Sequence, residues 1–562
     1  MSVMKRFLIA VLALALSACA AAPSVRLDPN AVRYPLIPMP LRQSPQSGSF
    51  VIDAQTAIVV MHSTDTQASA DALADMIERS TGLHLKRTAE QAAMLKRITF
   101  ALDPEIANDE GYELSVTPGA ITIHSKTSAG AFWAVQTLRQ LLPADIEKSE
   151  VERSGVEKPN VGFPALMVPA VEIVDAPRFA YRGVMLDVSR HYFPPEFLQR
   201  FVDLLALYKI NYLHLHLTDD QGWRMEIKRY PRLAEISAWR DGSTVGHYND
   251  KPRKYDGQRH GGIYTQEQLK ALVRYAQARH ITIVPEIELP GHSVAALAAY
   301  PELGCLDNAH YEVSKEWGVH NDIYCPKEAT FEFLQNVLSE VMDVFPSKYI
   351  HIGGDEVPTL RWQQSPFAQA LIRQKDLKNE QGLQSYFIQR IERFVNSKGR
   401  AIIGWDEILD GGLAPNATVM SWRGEAGGVA AAMQGHDVIM SPDSYMYLDH
   451  YQVRGLAKKN EPIAIGGYLP LQKVYVYDPV PHALSAEQAR QILGVQGNLW
   501  TEYVANAAQA EYMAFPRVAA VAEVGWSALE RKDYSSFQQR LSGNVKHLEA
   551  LQVNFARHGL TP

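Results

Sequence analysis

From residue 181 onward the chain alternates short apolar runs with amphipathic stretches. Eight runs stand out, at 181–189, 212–218, 281–286, 349–352, 401–405, 418–422, 437–441 and 492–499. Between several of them lie stretches with apolar residues at helical spacing, at 195–208, 266–279, 331–345 and 383–397. Strands that alternate with helices form parallel sheets. Eight such units over this length predict a (β/α)8 barrel, the TIM-barrel form of the α/β class, over residues 175–562. The connections after the seventh run are long and weakly helical, which predicts an irregular helix ring there. No sequence repeat accompanies the alternation.

Upstream the pattern changes. Residues 49–174 mix both periodicities, with strands at 50–52 and 57–60 and a helix at 69–80. A hairpin of 112–116 and 120–124 about Pro118-Gly119 follows, then a helix at 130–142. This reads as a small α+β domain without a catalytic constellation. Residues 19–48, rich in Pro and small residues, read as a tether leading to its first strand.

Composition narrows the class. The 562 residues exceed one ordinary domain, so two are expected. Hydrophobic content of 46% and charged content of 21% describe a globular protein. The net charge of −7 leaves no basic footprint for nucleic acid. Lys5 and Arg6 precede an apolar stretch, 7–16, that is too short to span a bilayer. Residues 1–18 with Leu16-Ser17-Ala18-Cys19 resemble a bacterial lipoprotein signal, in which Cys19 becomes the lipidated first residue. An Asp after the Cys would resemble inner-membrane retention; Ala20 points to the outer membrane, with the lipid as the only membrane attachment. The alternative is a plain signal peptide with an incidental Cys.

Cys305 and Cys325 fall in one segment. An exported chain meets an oxidising compartment, so a disulfide between them is expected, worth roughly 3 kcal/mol by loop entropy. Two unpaired buried thiols are the alternative. There is no Cys-x-x-Cys and no His-Glu-x-x-His, and neither a metal nor a cofactor is implied.

Barrel enzymes build their sites at the C-terminal ends of the strands. The first run ends in Asp187-Val188-Ser189-Arg190-His191, and the second carries His214, His216, Asp219 and Asp220. The third carries Glu286, Glu288 and His292. The fourth passes through Gly353-Gly354 into the adjacent carboxylates Asp355 and Glu356. Later ends bring Trp405, Trp422, Tyr445, Tyr447, Asp449, Trp500 and Glu502. Paired carboxylates are the usual equipment for breaking a glycosidic bond. Aromatic rings cover the C–H faces of sugars, and charged groups bind their hydroxyls. Alternation along a strand would aim Asp355 and Glu356 at different parts of one ligand. Plainer readings stand beside these. Two acids can be a solvated loop, a Trp can be core, and His214 and His216 can be satisfied core histidines. Asp187 can be structural, paired with Arg182 or Arg190.

Residues 175–193, Asp-Ala-Pro-Arg-Phe-Ala-Tyr-Arg-Gly-Val-Met-Leu-Asp-Val-Ser-Arg-His-Tyr-Phe, resemble the first barrel strand of glycoside hydrolase family 20, the β-N-acetylhexosaminidases. Residues 213–220, 286–292 and 351–357, Gly404-Trp405-Asp406-Glu407 and Trp500-Thr501-Glu502 match further motifs in the same order. Residues 110–114 and 130–141 resemble the family's N-terminal domain. The resemblance implies an exo-acting, retaining glycosidase acting on terminal β-linked N-acetylglucosamine or N-acetylgalactosamine. It implies substrate assistance, in which the 2-acetamido oxygen attacks the anomeric carbon and forms an oxazolinium ion, an exception to the two-carboxylate scheme. By the same resemblance Glu356 is the general acid and then the base, and Asp355 accepts the acetamido N–H. Arg190 binds ring hydroxyls, and Trp405, Trp422 and Trp500 wall the acetamido methyl and the sugar face. Tyr447, with Tyr445 as the alternative, serves the acetamido oxygen. Asp449 and Glu502 bind the sugar, and Asp219 and His292 hold Glu356. The loops 245–259 and 453–482 carry no motif and are left to set substrate length.

Two other classes compete. A non-catalytic glycan-binding lipoprotein on a degenerate barrel would lack Asp355 or Glu356, and both are present. A barrel metallohydrolase built on His214, His216, His292 and Asp355 finds no third ligand at a usual spacing after the first two histidines. The partner implied is a glycan ending in β-N-acetylhexosamine. Chitin fragments, host glycans and peptidoglycan pieces share that end. Gluco versus galacto preference and oligomeric state stay open.

Overall fold

The computed structural model describes residues 32–61, 65–88, 96–148 and 166–560. The leader, Cys19 and the first part of the tether lie outside the described residues.

The N-terminal segment folds into one seven-stranded sheet. Its strands are β1 (Arg42–Ile52), β2 (Ala57–Val60), β3 (Lys86–Thr88), β4 (Arg97–Leu102), β5 (Tyr112–Val116), β6 (Ala120–Ser125) and β7 (Leu166–Asp175). Their order is β1-β7-β5-β6-β4-β2-β3, and β5–β6 is the expected hairpin, with Leu114 opposite Ile123. Helices Gln67–Thr81 and Ser128–Leu141 pack on the sheet and on each other. The first strand begins at Arg42, inside the expected tether, and Leu36 and Ile37 are already core. Its first half is polar and exposed, contains Pro45, and slips register between Pro45 and Ser49. An edge strand tolerates Pro and needs no alternation, so the apolar pattern gives no sign of it.

The eight later runs are all strands: β8 (Tyr181–Asp187), β9 (Tyr212–His216), β10 (Thr282–Glu286), β11 (Tyr349–His351), β12 (Ala401–Trp405), β13 (Thr418–Ser421), β14 (Val438–Met440) and β15 (Ile492–Leu499). They close a parallel barrel, β15 returning to β8 with Gly494 beside Tyr181. The expected helices are Pro195–Leu207, Gln266–Gln277, Glu328–Val344 and Glu380–Ser397. Between β14 and β15 there are only short turns of helix, such as Asp443–Met446 and Leu471–Tyr475, so the ring is irregular there, and regular helices return after β15 at Arg517–Trp526 and Tyr534–Ala550.

Alternation along the strands sorts the barrel interior into layers. Tyr181, Val284, Tyr349, Ile403, Trp405, Met420 and Ile439 form an apolar cluster. Two residues beyond Val284 and Tyr349 the interior turns polar, with Glu286 and His351 fully buried. Glu286 faces His214 at 3.0 Å, His216 at 2.5 Å and His351 at 2.8 Å, and accepts the Trp405 indole N–H at 2.9 Å. His214 and His216 therefore pack within the barrel. At the seam between the domains, Asp175 receives Lys209 at 2.8 Å, Tyr112 at 2.6 Å and Trp526 at 2.8 Å. Arg182 is taken by Glu110 at 2.6 Å, which leaves Arg190 as the partner of Asp187.

Candidate active site

Strand β11 stops at His351, and Gly353, Gly354 and Glu356 take φ of 65°, 90° and 44°. The strand alternation expected for Asp355 and Glu356 does not apply; a left-handed turn separates the two carboxylates. A Cβ on Gly353 would stand 1.7 Å from an oxygen of Glu288, so both space and φ require glycine there. A positive φ at Glu356 is strained, and such strain concentrates at functional sites.

His292 joins the two carboxylates. Its Nε2 lies 3.7 Å from Asp355 and 3.4 Å from Glu356, and its Nδ1 lies 3.3 Å from Asp219 and 3.1 Å from Asp220. Asp219 also faces Arg190 at 2.8 Å and His216 at 2.7 Å. Arg190 meets Asp187 at 3.1 Å and Glu502 at 3.7 Å, with its guanidinium 5.0 Å from the Trp500 ring centre.

These contacts set the protonation pattern. Burial disfavours charge on His292, but Asp219 outweighs it and keeps the imidazolium well above its ordinary value. The hydrogen bond from His292 holds Glu356 below its ordinary value, against burial. Burial pushes Asp355 up to about 6, with His292 opposing and Glu356 and Glu286 adding. Burial, then Asp355, drives Glu288 well up, and burial with Glu502 does the same to Asp449. Among the described residues, Asp355 Oδ1, Asp449 Oδ1 and both Glu288 oxygens have no hydrogen-bond partner.

A cavity of 430 Å³, within the range of small-molecule sites, opens above this group. Arg190, His292, Asp355, Glu356, Trp422, Tyr447, Asp449, Trp500 and Glu502 line it. Asp219 stands behind Arg190 and His292. Trp405 departs from the expectation of a wall. It is 1% exposed and lies beneath Trp500 at 5.8 Å between ring centres, because an inward position on β12 belongs to the barrel core. Tyr447 lies near-parallel to Trp422, whereas Tyr445 stacks on Tyr477 away from the cavity.

Several lining residues escaped the sequence reading. Trp317, Gly318 and Val319 sit on the loop closed by the Cys305–Cys325 disulfide. A Trp inside a cysteine-clamped loop after the third strand is the signal that could have found them. Tyr248 and Ile465 come from the motif-free loops 245–259 and 453–482, tied together by His247 Nε2 and the Ile465 carbonyl at 3.0 Å. Asp443 and His450 complete the rim.

Among the described residues four triads reach metal-binding spacing, in two groups: those on Glu286, His214–Glu286–His351 and His216–Glu286–Glu288, and those on His292, Asp219–Asp220–His292 and His292–Asp355–Glu356. A ligating imidazole must be neutral, with a free lone pair. In the first group the Gln496 amide lies 3.1 Å from His214 Nδ1, and Glu286 is occupied by the three imidazoles and Trp405. In the second, His292 holds its proton. Both groups read as proton-bearing networks. A larger cavity, 630 Å³, lies between the domains and holds none of the strand-end residues. Charges along it pair with one another, as in Arg139–Glu147 at 2.6 Å.

A parallel barrel with adjacent carboxylates and aromatic walls at its C-terminal mouth defines a barrel glycoside hydrolase. Residues 179–529 match Glycosyl hydrolase family 20, catalytic domain, and residues 33–176 match Glycosyl hydrolase family 20, domain 2. The chain belongs to glycosyl hydrolase family 20. It is 43% identical over 523 residues to a beta-hexosaminidase of Porphyromonas gingivalis, covering 92% of this chain and 64% of that protein. The chain thus spans less than two thirds of that relative. It is 32% identical to a beta-N-acetylhexosaminidase of Cellulomonas fimi, covering 93% of this chain and 95% of that one. The structure of a GH20 beta-N-acetylhexosaminidase from Streptomyces coelicolor A3(2) superposes with a TM-score of 0.80 at 34% identity, covering 94% and 99% of the two chains. A mutant Streptomyces plicatus beta-hexosaminidase in complex with product (GlcNAc) gives 0.80 at 33%, covering 94% and 98%.

Proposed function

We propose that the chain is an exo-acting, retaining β-N-acetylhexosaminidase that uses the 2-acetamido group of its substrate as nucleophile. One observation carries this reading. Asp355 is 7% exposed and keeps Oδ1 without a partner, in a cavity walled by Trp422, Tyr447 and Trp500. A buried carboxylate in that position is incomplete without a donor, and an amide N–H supplies one without adding charge. With the N–H held by Asp355 and the methyl against the rings, the acetamido oxygen is aimed at the anomeric carbon. It forms the C–O bond of the oxazolinium ion as the bond to the leaving group breaks. Glu356 gives the departing oxygen its proton and then takes one from the water that reopens the ring. In the empty site that proton rests on His292, 3.4 Å from Glu356. Substrate covers the Glu356 side chain, 41% exposed in the free enzyme, and loss of water favours its neutral form. Arg190, Asp449 and Glu502 hold the hydroxyls.

The test is an aryl β-glucoside with a plain 2-hydroxyl beside the matching N-acetylglucosaminide. The glucoside should turn over at least about a thousandfold more slowly, roughly 4 kcal/mol in the barrier. The N-acetylglucosaminide should give the β-anomer first by NMR. Comparable rates, or an α-configured first product, overturn the mechanism.

The same proposal includes export and attachment to the outer membrane through Cys19, acting on chitin fragments, host glycans or peptidoglycan pieces. The leader pattern supports it, and the Cys305–Cys325 disulfide fits an oxidising compartment. Cys19→Ala should leave the protein uncleaved or shift it out of the membrane fraction. A wild type found wholly soluble, with a free amino terminus beyond Cys19, refutes the anchor.

A further inference from the structure

Glu407 ends the Gly404-Trp405-Asp406-Glu407 motif, and the reaction as described does not use it. It lies in the 3₁₀ turn Asp406–Leu409 directly after β12 and is 7% exposed. Its Oε2 accepts the indole N–H of Trp422 at 2.9 Å. Trp422 follows β13, lines the cavity, and lies near-parallel to Tyr447, 20° between planes and 6.0 Å between centres. The other Glu407 oxygen is 3.6 Å from Arg423 Nε. That guanidinium is committed to Asp406 at 2.7 Å, with Asp410 at 3.8 Å. The turn after one strand therefore fixes two consecutive residues after the next, Trp422 through Glu407 and Arg423 through Asp406.

An indole N–H is a donor only, and because the nitrogen lies off the Cβ–Cγ axis, anchoring it stops the ring from turning about that bond. We propose that Glu407 is a positioning residue for the acyl pocket: by holding the Trp422 N–H it fixes that indole against Tyr447, and so decides which N-acyl groups the cavity admits. The proposal rests on the reading that Trp422 and Tyr447 enclose the acetamido group. The groups facing Glu407 are Asp355 from the β11 loop, Asp406 on its own turn, Trp422 and Arg423 after β13, and Tyr447 beyond β14. Burial, then Asp355, pushes its carboxyl up to about 8, with the Trp422 N–H and Arg423 opposing. This favours its neutral form, and a carboxamide reproduces the shape and the acceptor of that form.

The experiment compares aryl 2-deoxy-2-acylamino-β-glucosides bearing acetyl, propionyl and butyryl groups. The wild type should favour acetyl over butyryl steeply in kcat/KM. Glu407→Gln should keep that ratio within about threefold, since the amide oxygen still accepts the N–H. Glu407→Leu should lower the ratio at least about tenfold, because an unanchored indole can tilt. Trp422→Phe removes the same bond from the other side and should lower the ratio alike. It also serves if the Leu variant does not fold. The double variant should add nothing further. A purely structural role would slow all three substrates together and leave the ratio unchanged, which overturns the proposal, as does loss of the ratio in Glu407→Gln. A wild type indifferent to acyl length instead sinks the acetamido reading itself.

Discussion

Two regions of this molecule bury carboxylates, and they do so in opposite ways. Between the N-terminal domain and the barrel, each buried acid meets its partners. Glu147 meets Arg139 at 2.6 Å and His547 at 2.9 Å, and Glu523 meets Arg540 at 2.6 Å. At the barrel mouth, Asp355, Asp449 and Glu288 are as deeply buried and keep oxygens without partners. Burial opposes charge in both places. Arg139 and His547 overcome it and bring Glu147 down to about 2, whereas Asp355 is left at about 6. The interface is complete as folded. The mouth is incomplete until something fills it, and that incompleteness identifies a binding site.

The comparison makes its largest demand at Glu356. Glu356→Gln should lose at least about a thousandfold on a disaccharide, near 4 kcal/mol, and far less on an activated aryl glycoside. Its midpoint of unfolding should barely move. Equal losses on both substrates would place the acid elsewhere. At the interface the effect inverts. Glu147→Gln strands Arg139 and should cost about 3 kcal/mol in denaturant unfolding, with activity per folded molecule unchanged. A comparable fall in kcat would dissolve the distinction.

The pH dependences should also oppose one another. Glu147 is depressed from 4.5 to about 2, so its contribution is present above pH 4.5 and is lost as the pH falls toward 2. Asp355 is raised from 3.8 to about 6, so the folded state loses stability as the pH climbs from 3.8 through 6. The same titration should set the acid limb of kcat/KM near 6, because protonated Asp355 is a weaker acceptor for the N–H and no longer offsets the positive charge that develops on the oxazolinium ion. The smallest effect follows from this. Asp355→Asn should stabilise the empty enzyme by about 1 kcal/mol at pH 8, with no gain at pH 4, while activity collapses. A destabilised variant at pH 8 would mean that the free enzyme already satisfies Asp355.

The barrel was legible because its signal is local. Each strand is a short run buried on both faces, and eight of them survive any error at their ends. The cavity-lining residues that stand at strand ends were legible because a parallel barrel gathers every strand end on one face, whereas Trp317, Tyr248 and Ile465 come from loops that carry no such signal. Edge strand β1 was hidden, since nothing in an exposed polar stretch with Pro45 reports pairing. The three Trp looked equivalent along the chain. Only the closed barrel separates Trp405, sealed below, from Trp422 and Trp500, which face the cavity. Glu407 was visible as part of a motif, but its bond to Trp422 spans two strands.

By itself, then, the amino-acid order determined the alternation of strand and helix and which chemical groups stand at strand ends. Those are properties of neighbours along the chain. The tertiary structure decided which carboxylate is paired, which is exposed and which holds a proton. Charge state depends on distance and on exclusion of water, and both are set largely by residues on other elements, such as His292 for Asp355 and His547 for Glu147.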